Sequence, residues 1–293
     1  MTAKLINGLG EVAPDFDAFL LDQFGVLHDG SAVYPGVVDC LAALKNAGKR
    51  VVILSNSGTL QAANRARLNR LGIAEDLYED FASSGEVTRA ILEEEPQELR
   101  AASAGPGPLR CLPLGGAAER ALIEGLDIRE AASVAEADFL LLASFGQNPP
   151  PRSAFDDIFG AALERGLTLV CANPDFRGVT RQGLILAPGA LAADYQAAGG
   201  RVLFIGKPYQ EIYRHVLKSL APVPPARVLA VGDSLAHDIA GARAAGLASV
   251  LVLQGVHAEE LGNPSEAGFG DRLAFLQERH GAVPNYLLQG LVW

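Results

Sequence analysis

Short apolar runs recur along the chain, each closed by a small or polar residue. They are Ala18 to Leu21 before Asp22, Val51 to Leu54 before Ser55, Phe139 to Ala143, Leu167 to Val170, Val202 to Ile205 before Gly206, Val228 to Val231 before Gly232, and Val250 to Leu253. Runs this brief and this uniformly apolar predict strands buried on both faces of a sheet. Between them, apolar residues return at helical spacing: Val37, Leu41 and Leu44 follow Pro35-Gly36, and residues 60–71, 154–163, 209–220 and 239–245 repeat the pattern. The alternation predicts an α/β fold with a mostly parallel, Rossmann-like sheet, in which ligands bind where the strands end.

Four of these runs end in polar clusters: LLDQFG, VVILSNSG, LFIGKP and VLAVGDSLAHD. All four ends are expected to converge in one crevice. The span between Ser57 and Lys207 is too long for one crossover and holds strand and helix patterns of its own, so a second domain is expected there. The predicted core covers residues 1–83 and 187–293, with a smaller inserted α/β domain over 84–186. Gly105-Pro106-Gly107-Pro108 and Pro149-Pro150-Pro151 read as loops within the insertion.

Charge and composition narrow the function. The 293 residues carry 24 Lys plus Arg against 34 Asp plus Glu, a net charge of −10, which argues against a nucleic-acid surface or a polybasic membrane patch. No apolar run approaches the ~18 residues that cross a bilayer. The opening MTAKLINGLGEVAPDF lacks the basic-then-apolar order of a secretory signal, so the cytoplasm is the expected compartment. Three widely spaced cysteines, Cys40, Cys111 and Cys171, form no Cys-x-x-Cys pair and read as buried thiols. Cys171 follows an apolar run and is expected to pack rather than to attack.

The strand ends carry the chemistry. Asp22 places a carboxylate, ionised above ~3.9 in water, at a strand terminus where it attacks without needing a base. Asp233 and Asp238 lie in a loop and first helical turn that bring two more carboxylates towards it, an arrangement that repels itself unless a cation sits inside. Magnesium fits better than zinc, because the set offers oxygen and no His or Cys. Lys207 supplies an ammonium that balances Asp22 and a bound phosphate. Ser55, Asn56 and Ser57, ahead of Gly58 and a helix start, offer a hydroxyl, an amide and backbone N–H groups to an anion. Together these residues predict covalent catalysis: Asp22 attacks phosphorus, Mg2+ and Lys207 neutralise charge, and Ser55 orients the transferred group.

The order Asp22, Ser55, Lys207, Asp233/Asp238, each at a strand end, resembles the haloacid dehalogenase-like (HAD) hydrolases over nearly the whole chain. The long insertion with SNS, Cys171-Ala-Asn-Pro-Asp175 and IGKP is similar to subfamily IIA, the p-nitrophenylphosphatase-like class. The resemblance implies an α/β cap, substrate contacts from Asn173 and Asp175, a backbone carbonyl of Phe24 on magnesium, a small phosphorylated metabolite as substrate, and pairing of two copies through the cap. It also exposes a departure. The family's second aspartate, which protonates the leaving group, is replaced by Phe24, and loss of such an acid costs ~10²- to 10⁴-fold in rate. His28, in GVLHDG, is the candidate substitute acid/base provided the chain turns it inward; a histidine at a surface turn is the competing and favoured reading. Three readings stay open: a Mg2+-dependent phosphatase, a metal-free hydrolase of carbon–halogen bonds, and a phosphate-binding regulatory protein with little turnover.

Overall fold

The computed structural model describes residues 3–94, 99, 107–146, 148–180 and 183–293. Arg181 and the Gly105-Pro106 part of the predicted loop lie outside the described residues. In chain order the strands are β1 (Lys4–Leu5), β2 (Ala18–Leu21), β3 (Arg50–Ser55), β4 (Asp80–Ser83), β5 (Leu109–Pro113), β6 (Ile128–Glu130) and β7 (Phe139–Leu142). They continue with β8 (Thr168–Cys171), β9 (Arg177–Thr180), β10 (Gly183–Leu186), β11 (Arg201–Phe204), β12 (Val228–Gly232), β13 (Ala248–Val252) and β14 (Tyr286–Leu288). Every apolar run read as a strand is one. The five predicted helices are found at Val37–Asn46, Gln61–Leu71, Asp156–Glu164, Gln210–Ser219 and Ala240–Ala244.

The chain divides into two compact units. The first comprises Met1–Ser55, Arg65–Ala82 and Lys207–Trp293. Its sheet has the order β1-β14-β13-β12-β2-β3-β4, and the pairings of β12 with β2 and β13 and of β2 with β3 are parallel. Alternation along the strands sorts the side chains by face. Phe19, Leu21, Val51, Ile53, Leu229 and Val231 pack with Val37, Leu41 and Leu44 of the first helix. Leu251 and Leu253 pack on another face with Leu235, Ile239, Leu273 and Leu276. Each such side chain contributes ~1.5–3 kcal/mol over remaining exposed. Because the strands run parallel and Leu21 pairs with both Ile53 and Val231, the polar residues after β2, β3 and β12 emerge along one edge.

The second unit comprises Asn56–Asn64 and Ser83–Gly206. It holds a five-stranded parallel sheet, β11-β8-β7-β5-β6, and an antiparallel pair, β9 with β10. Leu140, Leu142, Leu169, Cys171 and Phe204 bury against Leu191 and Tyr195 of the helix Pro188–Ala197, and the Tyr195 hydroxyl donates to Leu167 O at 2.8 Å.

Two expectations are corrected here. The strand before Lys207 pairs with β8, from Arg201 opposite Thr168 to Phe204 opposite Cys171, so it belongs to the second unit's sheet and not to the one carrying Asp22. The second unit therefore runs on to Gly206, past the expected end at 186. A short apolar run bears no mark of the sheet that will take it. Among the described residues, no helix is long and apolar enough to cross a membrane.

Candidate active site

Asp22 begins where β2 stops. Its N–H still donates to Val231 O at 2.9 Å, which anchors the backbone to the neighbouring strand while the side chain extends beyond the sheet. Gly25 then turns the chain with φ 77°, and a Cβ there would lie 2.0 Å from Asp233 Oδ2, so the turn demands glycine on both counts. Asp233 follows β12 and accepts from the Val256 N–H at 2.7 Å. Asp238 sits in a single wide helical turn, Leu235–Ile239, and its Oδ2 accepts from the Ser234 N–H at 3.0 Å. Carboxylate oxygens of Asp22, Asp233 and Asp238 lie within 4.8 Å of one another.

Lys207 is 3 % exposed, and its Nζ donates to Asp22 Oδ1 at 2.6 Å and to Asp238 Oδ1 at 2.8 Å. One ammonium thus faces three carboxylates. Burial pushes the Asp22 carboxyl up to about 7; Asp238 adds to the rise and Lys207 opposes it. Asp233 is raised well above the ordinary carboxylate range by burial and by the charges of Asp22 and Asp238. Burial works against the Lys207 charge, but Asp22 and Asp238 outweigh it and hold the ammonium above its usual range. Such a cluster binds either extra protons or a cation. All its donors are hard oxygens, which fits Mg2+ and disfavours zinc.

Ser55, 2 % exposed, closes β3, and Gln23 Nε2 donates to its hydroxyl. The candidate acid/base role of His28 does not survive its surroundings. The ring is fully buried; its Nδ1 accepts from the Gly30 N–H at 3.0 Å, and its Nε2 faces Gln23 Oε1 at 3.4 Å. Burial, assisted by the charge of Arg67, lowers its pKa to about 4 against the opposing pull of Asp29, so it stays neutral near pH 7. Phe24 stands edge-on to His28, centroids 4.6 Å apart, with the Arg67 guanidinium over its ring at 5.7 Å. Arg65, on the same helix as Arg67, pairs with Asp80 at 3.0 Å and stacks on Tyr78. Sequence reasoning passed over Gln23, although a polar side chain directly after Asp22 was the available signal.

The remaining candidates belong to the second unit. Asn56 Nδ2 donates to Asp175 Oδ1 at 2.8 Å, and Asn173 Oδ1 accepts from the Asp175 N–H at 3.0 Å, so three of these four residues form one network. Ser57 instead pairs with Thr59 through their hydroxyls at 2.9 Å. Gly206, at φ 133°, leaves room for the network: a Cβ would lie 2.7 Å from Asn56 Oδ1 and from Pro174 Cδ. Cys171 is buried, its thiol pushed up to about 12 by that burial, in keeping with packing. Arg177 is exposed, and Tyr209 is 37 % exposed.

Comparison with known proteins bears on this geometry. A family profile described as haloacid dehalogenase-like hydrolase matches residues 19–129, and a second, HAD-hydrolase-like, matches residues 204–272. The chain is 30 % identical to a glycerol-3-phosphate phosphatase of Gallus gallus, over 96 % of this chain and 91 % of that protein. It is 28 % identical to chronophin of Rattus norvegicus, over 97 % and 88 %. A crystal structure of a haloacid dehalogenase-like hydrolase from Brucella suis superposes with TM-score 0.81 at 26 % identity, covering 98 % of this chain and all of that one.

Proposed function

Because the chain belongs to the haloacid dehalogenase-like hydrolases, we propose that it is a Mg2+-dependent phosphatase of a small phosphorylated metabolite, with Asp22 as its nucleophile. One observation carries the reading: three carboxylates with oxygens within 4.8 Å of one another, two of them bridged by a single buried ammonium. The phosphatase name of the chicken relative supports a phosphate ester as the substrate class.

Lys207 holds Asp22 Oδ1, which orients the carboxylate and assigns the attack on phosphorus to Oδ2. The bond from phosphorus to the leaving oxygen breaks with its electron pair passing to that oxygen, which departs as the anion or takes a proton from water; an aspartyl-phosphate forms on Asp22, and water then hydrolyses it to phosphate and free carboxylate. When bound by Asp22, Asp233, Asp238 and the Phe24 carbonyl, a divalent cation supplies charge neutralisation for the phosphoryl oxygens. The Ser55 hydroxyl hydrogen-bonds and orients the transferred group. For Asn56, Ser57, Asn173 and Asp175 a substrate-binding role stays a proposal.

A second reading, slow turnover, has its own observation. Phe24 bears no ionisable proton, and His28 is buried with both ring nitrogens engaged, so neither protonates a leaving group. Esters of poor leaving groups are then expected to react ~10²- to 10⁴-fold more slowly than a fully equipped site would allow. Hydrolysis of p-nitrophenyl phosphate and of an alkyl phosphate, each with Mg2+ or chelator, tests both readings. Mg2+-dependent release of nitrophenol that disappears in Asp22→Asn supports the phosphatase. Turnover that persists in Asp22→Asn overturns it, and equal rates on the two esters overturn the slow-turnover reading.

A further inference from the structure

We propose that Gln23 and His28 form a positioning relay that fixes the direction in which the Ser55 hydroxyl presents its proton. The identity of the group receiving that proton, a transferred phosphoryl, rests on the phosphatase reading; the relay itself does not.

Gly30 donates to His28 Nδ1 at 3.0 Å, so that nitrogen must present a lone pair and the ring proton must sit on Nε2. The Nε2–H faces the Gln23 side chain at 3.4 Å, which requires the amide oxygen on that side. The amide NH2 is thereby turned to Ser55 Oγ. With one lone pair taken by Gln23, the serine O–H is directed away from the amide. The reverse amide orientation would set NH2 against Nε2–H, two donors with no acceptor between them.

The surroundings hold this order. Gln23 and His28 are fully buried and Ser55 is 2 % exposed, so bulk water does not compete for these bonds and the low dielectric strengthens each one. The Phe24 ring packs edge-on against the imidazole, and Gly30 lies so close behind it that a Cβ would come within 3.3 Å of Phe24 Cε1. In this chain the aromatic side chain walls in the histidine, and the histidine acts through Gln23 without touching substrate. Gln23 is a positioning residue for Ser55, and His28 is a positioning residue for Gln23.

Two measurements test the relay. In the first, the full chain is labelled with 15N-histidine, the His28 signals are assigned by their loss in His28→Gln, and long-range proton–nitrogen correlation reports the ring near pH 7. The Nε2–H tautomer is expected; an Nδ1–H tautomer or an imidazolium overturns the proposal, whether or not the protein hydrolyses any phosphate. The second is a double-mutant cycle with p-nitrophenyl phosphate and Mg2+. Gln23→Met is expected to lower kcat about tenfold with KM little changed, and to cost nothing further once Ser55→Ala is present. Additive losses, or a Gln23→Met enzyme as fast as the parent, overturn the relay. Loss of the Asp22 dependence, by contrast, overturns the phosphatase reading and leaves the tautomer result standing.

Discussion

Glu119 and Asp22 are both carboxylates beside parallel sheets, and they keep opposite company. Glu119, in the second unit, is fully buried and accepts N–H donors from Gly116 at 2.6 Å, Ala143 at 2.7 Å and Ser144 at 2.9 Å. Asp138 in the same unit accepts from the Arg110 backbone at 2.8 Å and from its guanidinium at 3.3 Å. Each charge there is matched by donors of the protein itself, and the result is a tied-down loop. Asp22, Asp233 and Asp238 face one another, with Lys207 bridging Asp22 and Asp238. A buried charge that its neighbours satisfy belongs to the architecture; carboxylates held this close to one another are what a bound cation would balance.

The contrast is open to attack at several points. The largest effect is expected from Lys207→Met, which removes the ammonium that bridges Asp22 and Asp238: kcat for p-nitrophenyl phosphate should fall by ~10²- to 10³-fold, the loss typical of deleting one preorganised electrostatic partner. Initial rates measure it, and a loss below about threefold would mean that the bridge is ornamental. Next comes the response to metal. At a hundred times its dissociation constant Mg2+ should stabilise the protein by ~2.7 kcal/mol, read as a rise in melting temperature, and Asp233→Asn should abolish most of that rise. A full Mg2+ response in the variant would break the claim that the acidic group is waiting for a cation.

Glu119→Ala sharpens the same contrast from the other side. Losing the acceptor of three N–H groups should cost about 1–3 kcal/mol in urea unfolding while the Mg2+-induced shift remains; a weakened shift would show that the two carboxylate environments are not independent. The last test concerns pH. Burial and Asp238 raise the folded Asp22 pKa from 3.8 to about 7, so the folded state holds its proton more tightly than the unfolded chain. The stability this confers is complete below about 3.8 and is lost as pH rises through about 7. Melting temperatures in chelator should therefore decline over that range, and saturating Mg2+ should flatten the decline.

Much of this was legible from hydrophobic pattern alone. Uniformly apolar runs announced seven of the strands, because a strand covered on both faces has no polar positions to interrupt it. That Asp22, Ser55 and Asp233 lie at the ends of neighbouring strands was readable because parallel strands place their final residues along one edge. Four-residue patterns failed where partner choice mattered: Val202 to Ile205 looks like any buried strand, yet β11 pairs with β8. The mixed runs of β5 and β6, LRCLP and IRE, carry too few apolar residues to stand out. His28 was misread because residue type tells which proton chemistry is available, whereas the N–H of Gly30 and the walls of the pocket decide whether it is used. Gln23 went unnoticed because glutamine titrates nowhere; its importance lies in a direction, and direction is a property of three-dimensional neighbours.

The pairing of β2 with β12 has a consequence for how the protein is made. Ala18 meets Val228 in the centre of the first sheet, so a strand synthesised near the beginning waits for a partner that leaves the ribosome about two hundred residues later. At 5–20 residues per second that delay is roughly 10–40 s. Throughout it the nascent chain carries the apolar segment Ala18–Leu21 without its lasting neighbour on that side, and chaperone shielding of that one segment is the step on which the yield of folded protein should depend most.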